Sequence, residues 1–349
     1  MKFFKPKEKV DSDLKTILYI GNKLVKHGLN QTSIETLGPL LEKEGYQLIY
    51  ASSKKSKILR MLEMLWVTVS NSRKTDYVLI DTYSTYNFWY AFIISQTCGL
   101  LRLKYIPKLH GGDLPKRLDK NPYLSKLIFN FSYLNIAPSA YLLNAFRDAG
   151  FKNTIYIPNT IEICNYQFAA REIMIPKLLW VRSFSPIYNP EMALEVLKII
   201  TETYPKAELC MVGPDKNGLL EKMKELAAQY EIHVTFTGRL TKEDWTKLAE
   251  DYNIFINTTH FDNTPVSVIE AMALGLPVIS TNVGGIPYLL EDKITALLID
   301  DNDTKAMAAA VIELLQNEVL KNNIVKNAHQ MVQEFDSEKV KLQWVEILK

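Results

Sequence analysis

Cysteine is scarce in this sequence, and the few cysteines present are not grouped. Cys98, Cys164 and Cys210 are the three in 349 residues, and their spacing fits neither a disulfide framework nor a zinc site. We expect buried structural thiols in a reducing cytoplasm. The N-terminal segment lacks the apolar core of a signal peptide. The most apolar stretch, 88–101, is too short and too interrupted by polar residues to span a bilayer.

The common nucleotide-binding glycine motifs are absent as well. Neither G-x-G-x-x-G nor a Walker P-loop occurs, which argues against a dinucleotide-dependent dehydrogenase and a P-loop enzyme. Two Asp-x-Asp strings, at 11–13 and 301–303, resemble those of metal-dependent transferases. The first precedes the first predicted strand and the second lies in a predicted acidic turn, so we interpret both as solvated loops.

Length and charge indicate two domains. A chain of 349 residues with 47% hydrophobic and 23% charged residues is an ordinary globular protein, too long for one typical core. Residues 1–170 carry 23 Lys and Arg against 13 Asp and Glu, and residues 171–349 carry 18 against 26. A basic first half favours association with anionic membranes or acidic acceptors, although a generally basic, solvated surface is the simpler alternative.

The most informative stretch lies between residues 254 and 290. A β-branched run at 254–256 predicts a buried strand, and a polar loop follows it. Pro265 is expected as the first residue of a helix that Gly275 and Pro277 end. A second strand, a Gly-Gly loop and a helix near Pro287 come next. This alternation predicts a parallel α/β sheet.

Glu270 is unusual within that helix because its neighbours are apolar. A charge on a buried helix face needs partners, while the helix N-terminus suits a phosphate. Glu270 would then lie close enough to accept hydrogen bonds from a ribose diol. An isolated glutamate is more often solvated or ion-paired. Its spacing from Asp262, the helix start and the Gly-Gly loop together favour a nucleotide site.

The segment 270–278, EAMALGLPV, together with Asp262, resembles the signature of the retaining glycosyltransferases of family 4, also called group 1. These enzymes have the GT-B fold, and Asp262 stands where the family usually has glutamate. The resemblance implies that Glu270 holds the nucleotide ribose and that the first acid and its loop contact the donor sugar. The implied donor-contacting residues of this loop are Asp262, Asn263, Thr264, Pro265 and Val266.

Two further segments support the resemblance. His110, in His-Gly-Gly-Asp at the end of a predicted strand, matches the family's histidine beside the donor sugar. Arg182 ends another strand and matches the arginine that grips the donor pyrophosphate. The family's lysine shortly after it is missing, and Tyr188 or a neighbour takes its place. Three alternatives stay open for the donor pyrophosphate. Arg239 supplies the missing positive charge, a tyrosine hydroxyl is enough in its place, or the site is impaired.

Weaker matches complete the set of candidate binding residues. Gly28 and Asn30 lie in the first loop, where the family has adjacent glycines, and Gly213 lies in a loop that resembles the lining of the nucleotide base. We predict that the aromatic residues that follow the third strand form core and helix packing rather than a sugar platform. They are Tyr83, Tyr86, Phe88, Trp89 and Tyr90.

The predicted fold class is α/β, and the resemblance implies the GT-B form of it: two doubly wound, Rossmann-like domains facing a cleft. The expected N-terminal, acceptor-side domain comprises 1–163 and is joined by a C-terminal helix at 336–349. A linker at 164–176 is followed by a nucleotide-sugar-binding domain at 177–335.

The implied function is transfer of a sugar, with retention, from a nucleoside-diphosphate sugar to an acceptor hydroxyl. UDP-sugars are favoured over GDP-sugars, and the expected pathway is synthesis of cell-surface polysaccharide or glycolipid. His110, Arg182, Asp262 and Glu270 form the implied catalytic set, with no metal and no cofactor beyond the donor substrate. We expect a cytoplasmic protein with peripheral contact to anionic membrane at its inner face and no nucleic-acid partner.

Two alternatives stay open. The missing lysine favours a non-catalytic nucleotide-sugar-binding partner of another transferase, which would bind donor without turnover. A GT-B-type sugar-nucleotide epimerase would alter the donor without needing an acceptor. A pyridoxal-phosphate-dependent phosphorylase of similar fold is disfavoured by the short chain.

Overall fold

The computed structural model describes residues 15–23, 32–216 and 218–349. Packing divides the chain into two compact units. The first comprises 1–137, 146–155 and 341–349, and the second comprises 138–145 and 156–340. The domain and linker boundaries expected from the sequence stay predictions.

The first sheet has six strands in the order β2-β1-β3-β4-β5-β6. Its strands are β1 (Thr16–Ile20), β2 (Gln47–Ala51), β3 (Tyr77–Tyr83), β4 (Lys104–His110), β5 (Asn135–Ala137) and β6 (Thr154–Tyr156). The accompanying helices are α1 (Ser33–Lys43), α2 (Lys57–Ser70), α3 (Asn87–Leu100), α4 (Leu114–Lys120), α5 (Pro122–Phe129) and α6 (Ala140–Asp148).

The second sheet has the order β12-β11-β10-β7-β8-β9. Its strands are β7 (Lys177–Val181), β8 (Glu208–Val212), β9 (Val234–Gly238), β10 (Ile254–Asn257), β11 (Val278–Thr281) and β12 (Leu297–Ile299). Its helices are α7 (Pro190–Thr201), α8 (Leu219–Gln229), α9 (Lys242–Leu248), α10 (Val266–Ala273), α11 (Thr304–Gln316) and α12 (Glu318–Val332), and α13 (Ser337–Ile347) ends the chain.

Both sheets are doubly wound, as predicted, and each has one point where the strand order reverses. This point lies between β1 and β3 in the first sheet and between β7 and β10 in the second. Helices cross to opposite faces on the two sides of such a point, which leaves a crevice at the carboxyl ends of the strands. The residues that follow β7 and β10 are therefore placed to bind a ligand.

The strands and helices form where apolar residues can be buried. All five residues of β1 and all four of β10 are buried, as expected for strands covered on both faces. Thr32 caps α1, because its backbone N–H donates to Glu35 Oε2 at 3.0 Å in a capping box.

Two local predictions need correction. Pro265 precedes α10 in an extended conformation rather than occupying its first turn. Its ψ of 111° keeps it out of the helical region, so the helix begins at Val266. The expected helix near Pro287 is a single 3-10 turn, Ile286–Tyr288.

Burial differs from the prediction at one cysteine and two aromatic residues. Cys164 is exposed, whereas Cys98 and Cys210 are buried as expected. Tyr86 and Trp89 are exposed, although Phe88 and Tyr90 are buried. Successive helical residues point about 100° apart, so the sequence cluster divides between the core and the surface. Among the helices of the described residues, none is long and apolar enough to cross a bilayer.

Candidate functional site

Arg182 is the first residue after β7, at the switch point of the second sheet. Its backbone N–H donates to Val212 O at 3.0 Å, which continues the pairing between β7 and β8. Gly213 makes this approach feasible, since a Cβ there would lie 1.7 Å from Arg182 O and its φ is +154°. Gly213, a predicted binding residue, thus has a backbone role beside Arg182.

The side chain of Arg182 joins three elements of the second unit. Its Nη2 forms an ion pair with Asp262 Oδ2 at 2.9 Å, and both side chains are mostly buried. Its Nε donates to Asn257 Oδ1 at 3.2 Å, and its guanidinium lies 5.1 Å from the Tyr188 ring centroid. Three predicted site residues are therefore brought together: Arg182, Asp262 and Tyr188.

Tyr188 lies where the resemblance expects a second cation. It ends the 3-10 turn Pro186–Tyr188, and its carbonyl accepts from Thr258 Oγ1 at 2.9 Å. Burial raises the pKa of its phenol, which the charge of Arg182 partly offsets. At neutral pH the group beside Arg182 is therefore a neutral aromatic ring that makes a cation–π contact.

The loop between β10 and α10 is held by the glycines that follow β11. Asn263 N donates to Asp262 Oδ1 at 2.7 Å, and Gly285 N donates to Asp262 O at 2.8 Å. A Cβ on Gly285 would lie 2.0 Å from Asn263 O, and one on Gly284 would lie 2.5 Å from Asp262 O. Only glycines permit this packing, which sets the position of the Asp262 carboxylate.

The start of α10 presents unpaired polar groups. Thr264 Oγ1 and Ser267 Oγ are buried without a hydrogen-bond partner among the described residues. The first N–H groups of a helix have no partner within it, and the helix dipole makes this end positive. Thr264 also lines an open pocket with Ser139, Gly285 and Tyr288. This end of α10 is suited to bind an anion.

Glu270 lies one turn further along α10 and is 4% exposed. Its Oε1 accepts from the Tyr166 hydroxyl at 2.7 Å and pairs with Lys242 Nζ at 3.0 Å. Burial and the nearby carboxylate both raise the pKa of Tyr166, which stays a protonated donor. The buried charge has the partners that the sequence argument required.

Neither partner of Glu270 was predicted from the sequence. Tyr166 lies in the segment predicted as a linker, and Lys242 is an ordinary lysine at the start of α9. No spacing rule links either of them to a residue on α10. Arg239, the candidate replacement cation, is exposed on the turn after β9.

His110 ends β4 in the first unit and is held by two side chains from β3. Its Nε2 lies 2.9 Å from Asp81 Oδ1, and its ring stacks on Tyr83 with centroids 4.6 Å apart. Burial lowers the pKa of His110 and Asp81 partly opposes this, so the imidazole is neutral at pH 7. With its proton on Nε2 facing Asp81, Nδ1 remains as the acceptor.

Asp81 is the centre of a buried polar network that the sequence did not reveal. It also accepts from the Tyr19 hydroxyl at 3.2 Å, and a Cβ on Gly21 would lie 2.6 Å from its Oδ2. Lys108 is buried nearby, bonds to Ser33, and has its pKa lowered by burial to about 8. The one sequence signal was an aspartate within an otherwise apolar strand.

Some of the predicted residues are outside the described part of the chain, and the second Asp-x-Asp string makes contacts of its own. Gly28, Asn30 and the string at 11–13 lie outside the described residues. In the second string, Asp301 pairs with His260 Nδ1 at 2.8 Å and Asp303 caps α11. Within the described residues, no group of three or more His, Cys, Asp or Glu side chains is arranged to hold a metal ion.

Curated relatives resemble the chain over part of their length. N-acetyl-alpha-D-glucosaminyl L-malate synthase of Bacillus anthracis is 28% identical over 73% of this chain and 69% of its own length. The putative colanic acid biosynthesis glycosyltransferase WcaL of Salmonella typhimurium is 26% identical over 36% of this chain. The chain spans only about a third of that relative, 34%.

Solved structures match the fold across nearly the whole chain. Sucrose-phosphate synthase from Thermosynechococcus elongatus superposes with a TM-score of 0.77 at 17% identity, covering 95% of this chain and 98% of the other. HepE of Anabaena, solved with UDP-glucose, superposes with a TM-score of 0.73 at 18% identity, covering 95% of this chain and 99% of the other. These similarities confirm the predicted GT-B class of fold.

The family model described as "Glycosyl transferases group 1" matches residues 172–331. This range contains the Arg182 cluster, the start of α10 and Glu270. This match covers less than half of the chain, and it confirms the resemblance drawn from the sequence for residues 172–331, which are similar to the group 1 glycosyltransferases.

Proposed function

We propose that this protein is a retaining glycosyltransferase that moves a sugar from a UDP-sugar, in preference to a GDP-sugar, to an acceptor hydroxyl. The proposed pathway is the synthesis of cell-surface polysaccharide or glycolipid. The enzyme would work in the cytoplasm, in peripheral contact with anionic membrane, and would need neither a metal ion nor a cofactor.

The observation that carries the proposal is the arrangement along α10. Two buried hydroxyls at its start, that of Thr264 just before the helix and that of Ser267 in its first turn, have no hydrogen-bond partner among the described residues, and the buried carboxylate of Glu270 lies one turn further on. A diphosphate at the helix start would meet N–H groups, hydroxyls and the positive end of the dipole. Glu270 would then accept hydrogen bonds from the ribose diol.

The chemistry would depend on positioning and on neutralising the leaving diphosphate. Breaking the anomeric bond develops positive charge on the sugar and negative charge on the phosphate. Arg182 and the N–H groups near Asn263 and Thr264 would stabilise the phosphate charge. Asp262 and His110 would orient the sugar, with the Asp81 contact fixing the ring of His110.

The names of similar proteins support the proposed donor and the proposed pathway. HepE was solved with UDP-glucose, and WcaL is named for colanic acid biosynthesis. A UDP-sugar donor and a polysaccharide product for this chain are proposed on that similarity. The excess of Lys and Arg over Asp and Glu in residues 1–170 supports the proposed membrane contact.

Donor hydrolysis followed by proton NMR tests the proposal. The protein is incubated with α-linked UDP-glucose, UDP-galactose and UDP-N-acetylglucosamine in EDTA, and the anomer first released is identified. We expect the α-anomer from one donor, at a rate that EDTA leaves unchanged. Initial release of the β-anomer, or a requirement for added Mg²⁺, would contradict the mechanism.

A non-catalytic nucleotide-sugar-binding role is a second candidate, and one observation favours it. Tyr188 occupies the position near the family's second cation and stacks on Arg182. A site with one cation would stabilise a leaving diphosphate less. This candidate predicts UDP-sugar binding in calorimetry without turnover of any donor, with or without acceptor.

A further inference from the structure

Helix α2 presents an unusual apolar face to solvent. At ~100° per residue, its outward apolar residues fall within an arc of about 100°. Each of these side chains is more than half exposed, and we call them the α2 stripe: Ile58, Leu59, Leu62, Trp66 and Val69. The opposite side of α2, which includes Met64 and Val67, packs into the core of the first unit.

Aromatic residues at the start of α3 extend the stripe. Tyr86 and Trp89 are exposed and, with Leu62, line a groove between α2 and α3. Lys57 Nζ lies 4.1 Å from the Tyr86 ring centroid, and Lys57 O accepts from the Tyr90 hydroxyl at 3.0 Å. The aromatic rings are therefore held beside the stripe.

The charges in the segment that carries the stripe are mostly positive. Residues 54–74 contain six Lys or Arg and one acid, Glu63. Glu63 accepts a hydrogen bond from Ser52, and Arg60 is buried, donating to Lys54 O at 2.9 Å. The exposed cations lie before the helix, at its first residue and after it: Lys54 and Lys55, then Lys57, then Arg73 and Lys74.

We propose that the α2 stripe, with Tyr86 and Trp89, docks on the surface of an anionic lipid bilayer. A helix that lies in the membrane interface buries apolar side chains to a shallow depth and keeps lysines at its margins. Tyr and Trp favour the headgroup level. The positive margins match the negative potential of anionic lipids. A second copy of this chain would bring the same cations together, which disfavours a dimer through this face.

This inference rests on the membrane contact in the proposed function, and assigns it to named residues. The test is flotation of the full-length protein with vesicles of phosphatidylcholine alone or with about 30% phosphatidylglycerol. We expect binding to the anionic vesicles only, weakened by added salt, with a blue shift of the tryptophan emission to which the exposed Trp66 and Trp89 contribute. Removing one flanking lysine lowers such binding about fivefold.

Matched variants distinguish vesicle binding through this surface from nonspecific binding through other exposed apolar residues. Leu62→Glu combined with Trp66→Glu changes side chains that point into solvent, and we expect at least a tenfold loss of vesicle binding. Val319→Glu in the second unit introduces an acid at another exposed apolar residue and should leave binding unchanged. Circular dichroism checks that both variants fold. The double variant Lys54→Glu, Lys55→Glu is a second test. It changes two cations that precede α2 and leaves the helix itself intact.

Three results would overturn the proposal: equal binding to both kinds of vesicle, unchanged binding by the Leu62 and Trp66 variant, or a wild-type dimer that this variant converts to monomer. The same variants are assayed for donor hydrolysis without vesicles. Vesicle binding with no donor hydrolysis would contradict the proposed function alone. Hydrolysis without vesicle binding would contradict this surface and the membrane contact, and would leave the proposed sugar transfer standing.

Discussion

Glu270 keeps its charge in a buried position because two groups from distant parts of the chain reach it. Tyr166 donates to its carboxylate and Lys242 supplies the opposite charge. The sequence could identify Glu270 because a carboxylate among apolar helix residues is unusual. It could not identify the partners, since only the folded chain brings an irregular segment and the start of α9 to α10.

Tyr166→Phe should lower the free energy of unfolding by about 1–3 kcal/mol, because the buried carboxylate loses a hydrogen-bond donor. Tyr288→Phe is the matched control, since the Tyr288 side chain is half exposed. Urea denaturation measures both variants. Equal stability of the two would show that the Tyr166 hydroxyl does not support Glu270.

Arg182→Ala should lower kcat for donor hydrolysis by about 10²–10³-fold and change KM less, because the arginine acts mainly on charge developed in the transition state. Tyr188→Phe keeps the ring over the guanidinium and should cost less than about threefold. Arg239→Ala tests whether that exposed arginine replaces the missing lysine. A loss with Arg239→Ala as large as with Arg182→Ala would show that it does.

Lys108→Met should stabilise the protein at neutral pH. The unfolded chain holds this proton up to about pH 10.5, whereas burial lowers the folded pKa to about 8. Burying the protonated Lys108 therefore lowers the free energy of unfolding by about 3 kcal/mol below pH 8. This penalty disappears as the pH rises from about 8 to about 10.5. The advantage of the variant in urea denaturation should shrink over that range. Lys152→Met, at an exposed lysine, should show no such trend.

At the scale of elements, the alternation of buried runs and helix stop signals was enough to predict the parallel strands. The predictions that were wrong concern residues whose backbone conformation or burial is set by tertiary packing. Pro265 is extended because the loop before it is packed against the Gly284-Gly285 segment. The exposure of Tyr86 and Trp89 depends on which face of α3 meets the core, and an aromatic-rich run does not specify that.

Gly285→Ala should displace the loop that carries Asp262, because the new Cβ would lie 2.0 Å from Asn263 O. We expect UDP affinity to fall by at least tenfold in calorimetry, with some loss of stability. Gly99→Ala is the control, since a Cβ at that helical position meets nothing within 4 Å. There we expect a stabilisation of about 0.5–1 kcal/mol and unchanged affinity. Unchanged UDP affinity in Gly285→Ala would contradict the assigned loop.

At the scale of the whole molecule, each doubly wound sheet brings polar groups to its switch point. Arg182 follows β7 and Asp262 follows β10 in the second sheet, and Asp81 lies in β3 of the first. The sequence predicted the fold class from this pattern of elements. It predicted Arg182, Asp262 and Glu270 through the family motif, but not the Asp81 network, which assembles from β1, β3 and β4.

The proposed function depends on a UDP-sugar site formed by α10 and Glu270. Isothermal titration calorimetry of wild type and Glu270→Ala with UDP and GDP, in EDTA, tests it most directly. We expect UDP to bind wild type more tightly than GDP does and Glu270→Ala to lose at least tenfold in UDP affinity. Equal UDP binding by both proteins, or no binding of UDP to wild type, would contradict it.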